Sequence, residues 1–161
     1  MTLNIGLSKE QLQGSTAILT QLLANEFTLY VKTRKYHWNV VGPQFHDLHK
    51  FFETLYEESD AISDEVAERI RSLGEFAIGT LAEFSEHTKI KEESKQNPNQ
   101  VDTIKNLLAD HEQIIRELRT DITKVDEEYG DVGTADFLTA ILEKHEKNAW
   151  MLRSMLEYVL D

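Results

Sequence analysis

The chain has 161 residues, 40% hydrophobic and 29% charged, with a formal net charge of −12 at pH 7 and no cysteine. That length suits one well-cored domain over residues 1–161, and the lack of thiols excludes disulfide and thiolate chemistry. The acidity disfavours a chain that grips phosphate backbones; no apolar run has transmembrane length or a signal-peptide layout, so a cytoplasmic protein is expected.

Two prolines and seven glycines against long periodic runs read as all-α. Ser8-Lys9-Glu10-Gln11 fits a capping box that opens the first helix. Leu12, Leu19, Leu22, Leu23, Phe27 and Tyr30 form its apolar face, and it is expected to run to about Val40. Lys32, Arg34 and Lys35 near its end read as charges favoured at a helix carboxyl terminus rather than as a phosphate site. Gly42-Pro43 turns the chain, with proline suited to the first turn of the next helix. Phe45, Leu48, Phe52, Leu55, Ile62, Val66 and Leu73 then recur at helical steps, and Gly74 reads as a left-handed cap.

Residues 75–100 form a long connection, with a short helix over Leu81 to Thr88 and a closing turn at Asn97-Pro98-Asn99. His87 reads as exposed. A third long helix is expected from about Asp102 to Val125, with Ile104, Leu107, Leu108, Ile115, Leu118, Ile122 and Val125 inward. Asp126 to Gly133 reads as an acidic loop. A fourth begins near Thr134, with Asp136 in its first turn and Leu138, Ile141, Leu142, Leu152, Met155 and Val159 inward. His111 and His145 fall at core spacing and read as hydrogen-bonded core residues. The prediction is a four-helix bundle with a short helix in the crossover between helices two and three.

The stretch from His37 to Glu68 carries the chemistry. His37, His49, Asp64 and Glu68 are two imidazoles and two carboxylates, suited to a metal ion that takes nitrogen and oxygen donors. His49 and Asp64 lie fifteen positions apart on one helix, so about 1.5 Å of rise per residue separates them by roughly 22 Å. A metal ion needs its ligands within roughly 2.0–2.6 Å. One chain therefore cannot complete the site. Two copies of the helix crossing antiparallel about a two-fold axis near Glu57 bring His49 of one against Asp64 of the other. On the helical wheel His49, Glu53, Tyr56, Asp60 and Asp64 share a flank, with Glu68 at its edge. The ordinary alternative, surface charge on an acidic helix, is adequate for any one of these residues and weak for all four.

The run K-Y-H-W-N-V-V-G-P-Q-F-H-D-L-H from Lys35, with D-E-V-A-E-R ending at Arg69, resembles the Dps family, the mini-ferritins or DNA-binding proteins from starved cells. GTADFLT at 133–139 and AWMLRS at 149–154 extend the likeness. The H-x11-H-x14-D-x3-E spacing is that of the family's ferroxidase centre. The resemblance implies a ferritin-like bundle in a hollow dodecamer that stores ferric mineral. It implies His37 and His49 as ligands from one subunit and Asp64 and Glu68 from its two-fold mate. It makes Glu53 an accessory acidic ligand. It places Trp38 beside the iron, able to absorb an oxidising equivalent, although the bare sequence reads Trp38 as a packing residue. It also makes Asp126, Glu127 and Asp136 candidates for a negatively charged iron-entry pore on a three-fold axis; the ordinary alternative is a solvated loop with a helix-start carboxylate.

None of the six histidines has a glutamate three positions before it, so the Glu-x-x-His pairs of an intra-bundle di-iron site are absent. Fe(II) is the expected substrate and Fe(III) the product, with Zn(II) able to take the same ligands. The family implies hydrogen peroxide as oxidant in preference to dioxygen. DNA binding is doubtful, because the opening MTLNIGLSKEQ carries one lysine and one glutamate rather than a basic arm. Three functions compete: an iron-oxidising mini-ferritin, a DNA-compacting protein of the same fold, and an acidic module that binds a protein partner through its second helix.

Overall fold

The computed structural model describes residues 3–157. Its helices are α1 (Lys9–Asn39), α2 (Phe45–Ser72), α3 (Leu81–His87), α4 (Gln100–Glu127) and α5 (Val132–Leu156), and there is no strand among the described residues. The short α1–α2 and α4–α5 connections make two antiparallel helical hairpins. α1 packs along α2, α4 along α5, and the hairpins meet through α1 with α4 and α2 with α5. The crossover from α2 to α4 carries α3 against α1. This is an all-α four-helix bundle.

Local chemistry sets most of the ends. Ser8 Oγ accepts from Gln11 N–H at 3.3 Å while the Gln11 side chain accepts from Ser8 N–H at 2.7 Å, the capping box read from the sequence. Gly74 adopts φ +93° just past α2. Its N–H reaches the Arg71 carbonyl and the Glu75 N–H the Ile70 carbonyl, which is the Schellman pairing that left-handed glycine permits. Asn99 caps α4 through Asp102 N–H at 2.9 Å.

Three boundaries differ from expectation. Pro43 lies ahead of α2 rather than within its first turn, since Gln44 is the N-cap. α4 continues through Asp126 and Glu127, so these residues lie on a helix and not in a loop. α5 starts at Val132, which moves Asp136 out of the first turn; the buried cap carboxylate is Asp131.

The expected apolar stripes meet in one core, with Phe52, Leu19, Leu29 and Ile62 among its largest fully buried side chains. Leu29 and Ile114 belong to it although the predicted stripes omit them. Ile115 is only partly buried, and Val159 lies outside the described residues. His111 and His145 are fully buried polar members. His111 Nδ1 meets His145 Nδ1 at 2.8 Å, and His145 Nε2 meets Glu26 Oε1 at 2.6 Å. That chain ties α4, α5 and α1 together at the middle of the bundle, while His111 Nε2 and Glu26 Oε2 have no protein partner.

Candidate metal centre

Histidines 37 and 49 meet because α1 ends and α2 begins within a few residues of each other. Gly42 makes the turn at φ +128°, where an added Cβ would also fall 2.8 Å from the Gln100 side chain. Folded back this way, the two imidazoles stack with ring centres 3.8 Å apart and planes 20° from parallel. Each ring bonds the other residue's backbone: His37 Nδ1 to the His49 carbonyl at 2.7 Å, and His49 Nδ1 to the His37 carbonyl at 2.9 Å. A carbonyl only accepts, so both Nδ1 atoms carry the proton. In the neutral imidazoles both Nε2 atoms then keep a free lone pair, the state a metal ligand requires.

Aromatic rings surround the pair. Phe45, expected in the buried stripe, is 46% exposed and stacks on His49 at 5.2 Å. Tyr56 meets His37 edge-on at 5.2 Å. Trp38, read from bare sequence as an aromatic packing residue, is 65% exposed in the isolated chain. Its ring instead faces the Arg34 guanidinium, which also lies over Tyr30 and Tyr56.

Glu53 sits one turn beyond His49, its carboxylate 2.8 Å from Lys50 Nζ. The Lys50 hydrogen bond holds that carboxyl below its ordinary range against the cost of desolvation, and the Lys50 charge adds to the effect. Asp64 and Glu68 lie further along α2, one turn apart and exposed. Among the described residues no three His, Cys, Asp or Glu side chains of the single chain converge on a metal position. The structure thus brings together His37 and His49 with Glu53 beside them, and leaves Asp64 and Glu68 facing outward on the same helix.

Two clasps hold the elements that carry these groups. Buried Lys32 reaches Asp110 at 2.8 Å and the Lys91 carbonyl at 2.7 Å, and Lys35 reaches the Glu93 and Gln96 carbonyls, both at 2.7 Å. Tyr36 donates to Glu93 at 2.6 Å. Burial, then this bond, pushes the Tyr36 phenol well above its ordinary value. Two of the three cations expected to favour the end of α1 thus bind the crossover to it. At the other end of α2, Arg69 donates to Thr134 Oγ1 at 3.0 and 3.1 Å and pairs with Asp131 at 3.3 Å. Burial opposes ionisation of Asp131. Side-chain and backbone bonds from Thr134, with the Arg69 charge adding, outweigh it and hold the carboxyl low. Reading the sequence missed this cap, although an Asp just ahead of a helical apolar run is an N-cap signal.

Asp126, Glu127 and Asp136 are all exposed. The first two lie on the last turn of α4 and the third on α5, flanking the turn that Asp131 anchors.

The Ferritin-like domain model matches residues 16–159. A low temperature-induced protein of Nostoc is 47% identical, over 96% of this chain and 87% of its own length. A DNA protection during starvation protein of Brevibacillus brevis is 38% identical, over 92% of this chain and 99% of its own. The crystal structure of a Dps protein from Vibrio cholerae O1, described as one of the ferritin-like diiron-carboxylate proteins, superposes with a TM-score of 0.89 at 30% identity, over 98% of both chains. A ferritin-like bundle with this coverage is the class that the fold defines. Within that class the chain belongs to the Dps family.

Proposed function

We propose that this protein oxidises Fe(II) and retains the ferric product, at centres that two subunits build together. The observation that carries this reading is the reciprocal pairing of His37 and His49, which in the neutral rings leaves both Nε2 atoms unprotonated. Asp64 and Glu68 of a two-fold-related copy supply the carboxylates, and Glu53 an accessory oxygen. Membership of a family with diiron-carboxylate relatives supports iron as the ion. So does the donor set, since imidazole and carboxylate suit Fe(II). The same donors accept Zn(II), which is expected to inhibit by occupancy.

The chain's own groups do three things in this reading. The carbonyl bonds fix ring orientation and tautomer, so no reorganisation is needed when the ion arrives. The anionic carboxylates favour Fe(III) over Fe(II), which promotes loss of the electron. Two ferrous ions at neighbouring positions give hydrogen peroxide one electron each, yielding two ferric ions and two hydroxides without a free hydroxyl radical. A hollow oligomer, a dodecamer by family likeness, retains the hydrated ferric oxide. Asp126, Glu127 and Asp136 line its entry pore.

Ferrous ion loaded without air, followed by peroxide, reads the reaction as ferric absorbance. His49→Ala and Asp64→Ala are each expected to slow it on the order of tenfold or more. Mixing the two variant subunits is expected to restore part of the rate, because some composite centres become whole. Undiminished turnover by both variants would remove the centre from consideration.

A further inference from the structure

Glu26, His145 and His111 are fully buried ionisable groups that the iron reading leaves unused. His145, on α5, is the hub. Its Nε2 lies 2.6 Å from Glu26 Oε1 on α1, and its Nδ1 lies 2.8 Å from His111 Nδ1 on α4. Each of these contacts holds one proton, since two N–H groups cannot point at each other across it. Buried charge is costly unless it is balanced, so the cluster is most stable at net zero. For one carboxyl and two imidazoles, net zero means three protons. The third belongs on Glu26 Oε2 or His111 Nε2, the two ends of the line, which are buried without a protein partner.

A fourth proton finds no balancing charge. Burial, with His145 beside it, already holds protonation of His111 well below the imidazole range. The other charged groups nearby are committed elsewhere. Asp110, next to His111 on α4, is turned to Lys32 of α1 at 2.8 Å. From α2, Glu58 accepts from the Asn148 amide, one turn along α5 from His145. If α5 leaves α1 and α4, the three side chains meet water. Between about pH 6 and 5 both imidazoles are then cationic and the carboxylate anionic, which is four protons. Opening α5 thus takes up one proton, and its equilibrium constant rises about tenfold for each pH unit lost. The Lys32–Asp110 clasp joins α1 to α4 and stays shut when α5 alone leaves, so titration of Asp110 does not enter.

We propose that His145, with Glu26 and His111, is an acid-operated latch on α5, closed at neutral pH and loosened by acid while α1, α2 and α4 stay packed. In the hollow oligomer proposed above, a loosened α5 is a breach in the wall; that consequence rests on the iron reading, and the latch does not.

Hydrogen exchange of the assembled, metal-free protein tests it. Exchange is read by peptide mass spectrometry at pH 6 and 5 and corrected for the chemical exchange rate, and α5 peptides are compared with α2 peptides. Protection of α5 relative to α2 is expected to fall about tenfold over that unit. Glu26→Gln removes the balancing carboxylate. Its closed cluster holds two protons and its open one four, so the fall is expected to be about a hundredfold. His111→Asn offers His145 an amide and takes up no proton, so its ratio is expected to stay flat. Loss of protection in α5 and α2 together places the uptake in global unfolding and overturns the latch, as does a wild-type slope kept in His111→Asn. Light scattering checks assembly. If His111→Asn does not assemble, Glu26→Gln decides, and a slope no steeper than wild type overturns the proposal. A second arm adds desferrioxamine, a ferric chelator, to ferric-loaded protein at pH 5.5. Wild type is expected to lose iron several times faster than His111→Asn. Equal rates beside an intact exchange result keep the latch and remove the breach, and a protein that loads no iron fails the iron reading alone.

Discussion

His37 and His49 show how a residue's chemistry depends on the backbone of another. Each is an ordinary imidazole in sequence, and each becomes a defined tautomer because the other's carbonyl accepts a hydrogen bond from its Nδ1–H. The same logic, buried, makes His111 sensitive to pH. Burial, then the neighbouring His145, holds the protonated form of His111 well below the imidazole range. An unfolded histidine takes up its proton near pH 6.5, so below that pH the unfolded chain binds more protons. This contribution to stability is present above about pH 6.5 and is lost as pH falls. Asp110, its neighbour in sequence, has the opposite sign. Burial, partly offset by Lys32, pushes it up to about 6, so its contribution is full below about pH 4 and is lost as pH rises through about 6. Urea unfolding of wild type and His111→Gln at pH 7.5 and 5.5 separates the two groups. The stability difference between the proteins is expected to shrink towards acid by up to about 1.4 kcal/mol per pH unit. A difference that does not change with pH would count against the buried neutral histidine.

At the scale of elements, the bundle depends on a few close approaches. Gly14, in the second turn of α1, leaves room for the Tyr129 ring, and a Cβ there would lie 2.4 Å from it. Alanine is the better helix former by about 1 kcal/mol, yet Gly14→Ala is expected to lower stability by about 1–3 kcal/mol, because a whole ring must shift. Gly42→Ala is expected to cost at least about 1 kcal/mol from its left-handed backbone, and to weaken Fe(II) binding by spreading the two imidazoles. Thermal unfolding and ferrous titration of the two glycine variants distinguish these outcomes: Gly14→Ala should leave ferrous affinity unchanged. The extents of α1 and α3 and the end of α2 were legible in the sequence, because apolar periodicity, a capping box and a glycine stop marked them. The turn into α5 was not. Asp126 and Glu127 look like loop residues by composition, but an exposed helix face tolerates acids, and the helix stops only where Gly130 and the Asp131 cap allow it.

At the scale of the molecule, the chain by itself brings together His37 and His49 but neither Asp64 nor Glu68, so the proposed centre needs a second copy. The exposed Trp38, Val41 and Phe45 border the His pair. In the proposed dimer they lie at the two-fold contact that brings the second subunit's Asp64 and Glu68 to the imidazoles. Charge bears on the choice between functions. With a net charge of −12, the assembled protein is expected to leave plasmid DNA unshifted on a gel at about 150 mM salt, because few phosphate contacts are available to release counterions. Retention of DNA by the unmodified protein at that salt would favour the DNA-compacting alternative. No described helix is long and apolar enough to cross a membrane.

From sequence alone came the all-α class, the register of the stripes, and the separation of His49 from Asp64 along one helix. These follow from local geometry: rise per residue, period and caps depend on neighbours in the chain. Tertiary structure alone decided the tautomers of His37 and His49, the cage around Arg34, the clasp of Lys32 on Asp110, and the buried line from Glu26 through His145 to His111. Glu26 and His145 are 119 residues apart, and no periodicity ranks one such pairing above another until the helices have packed.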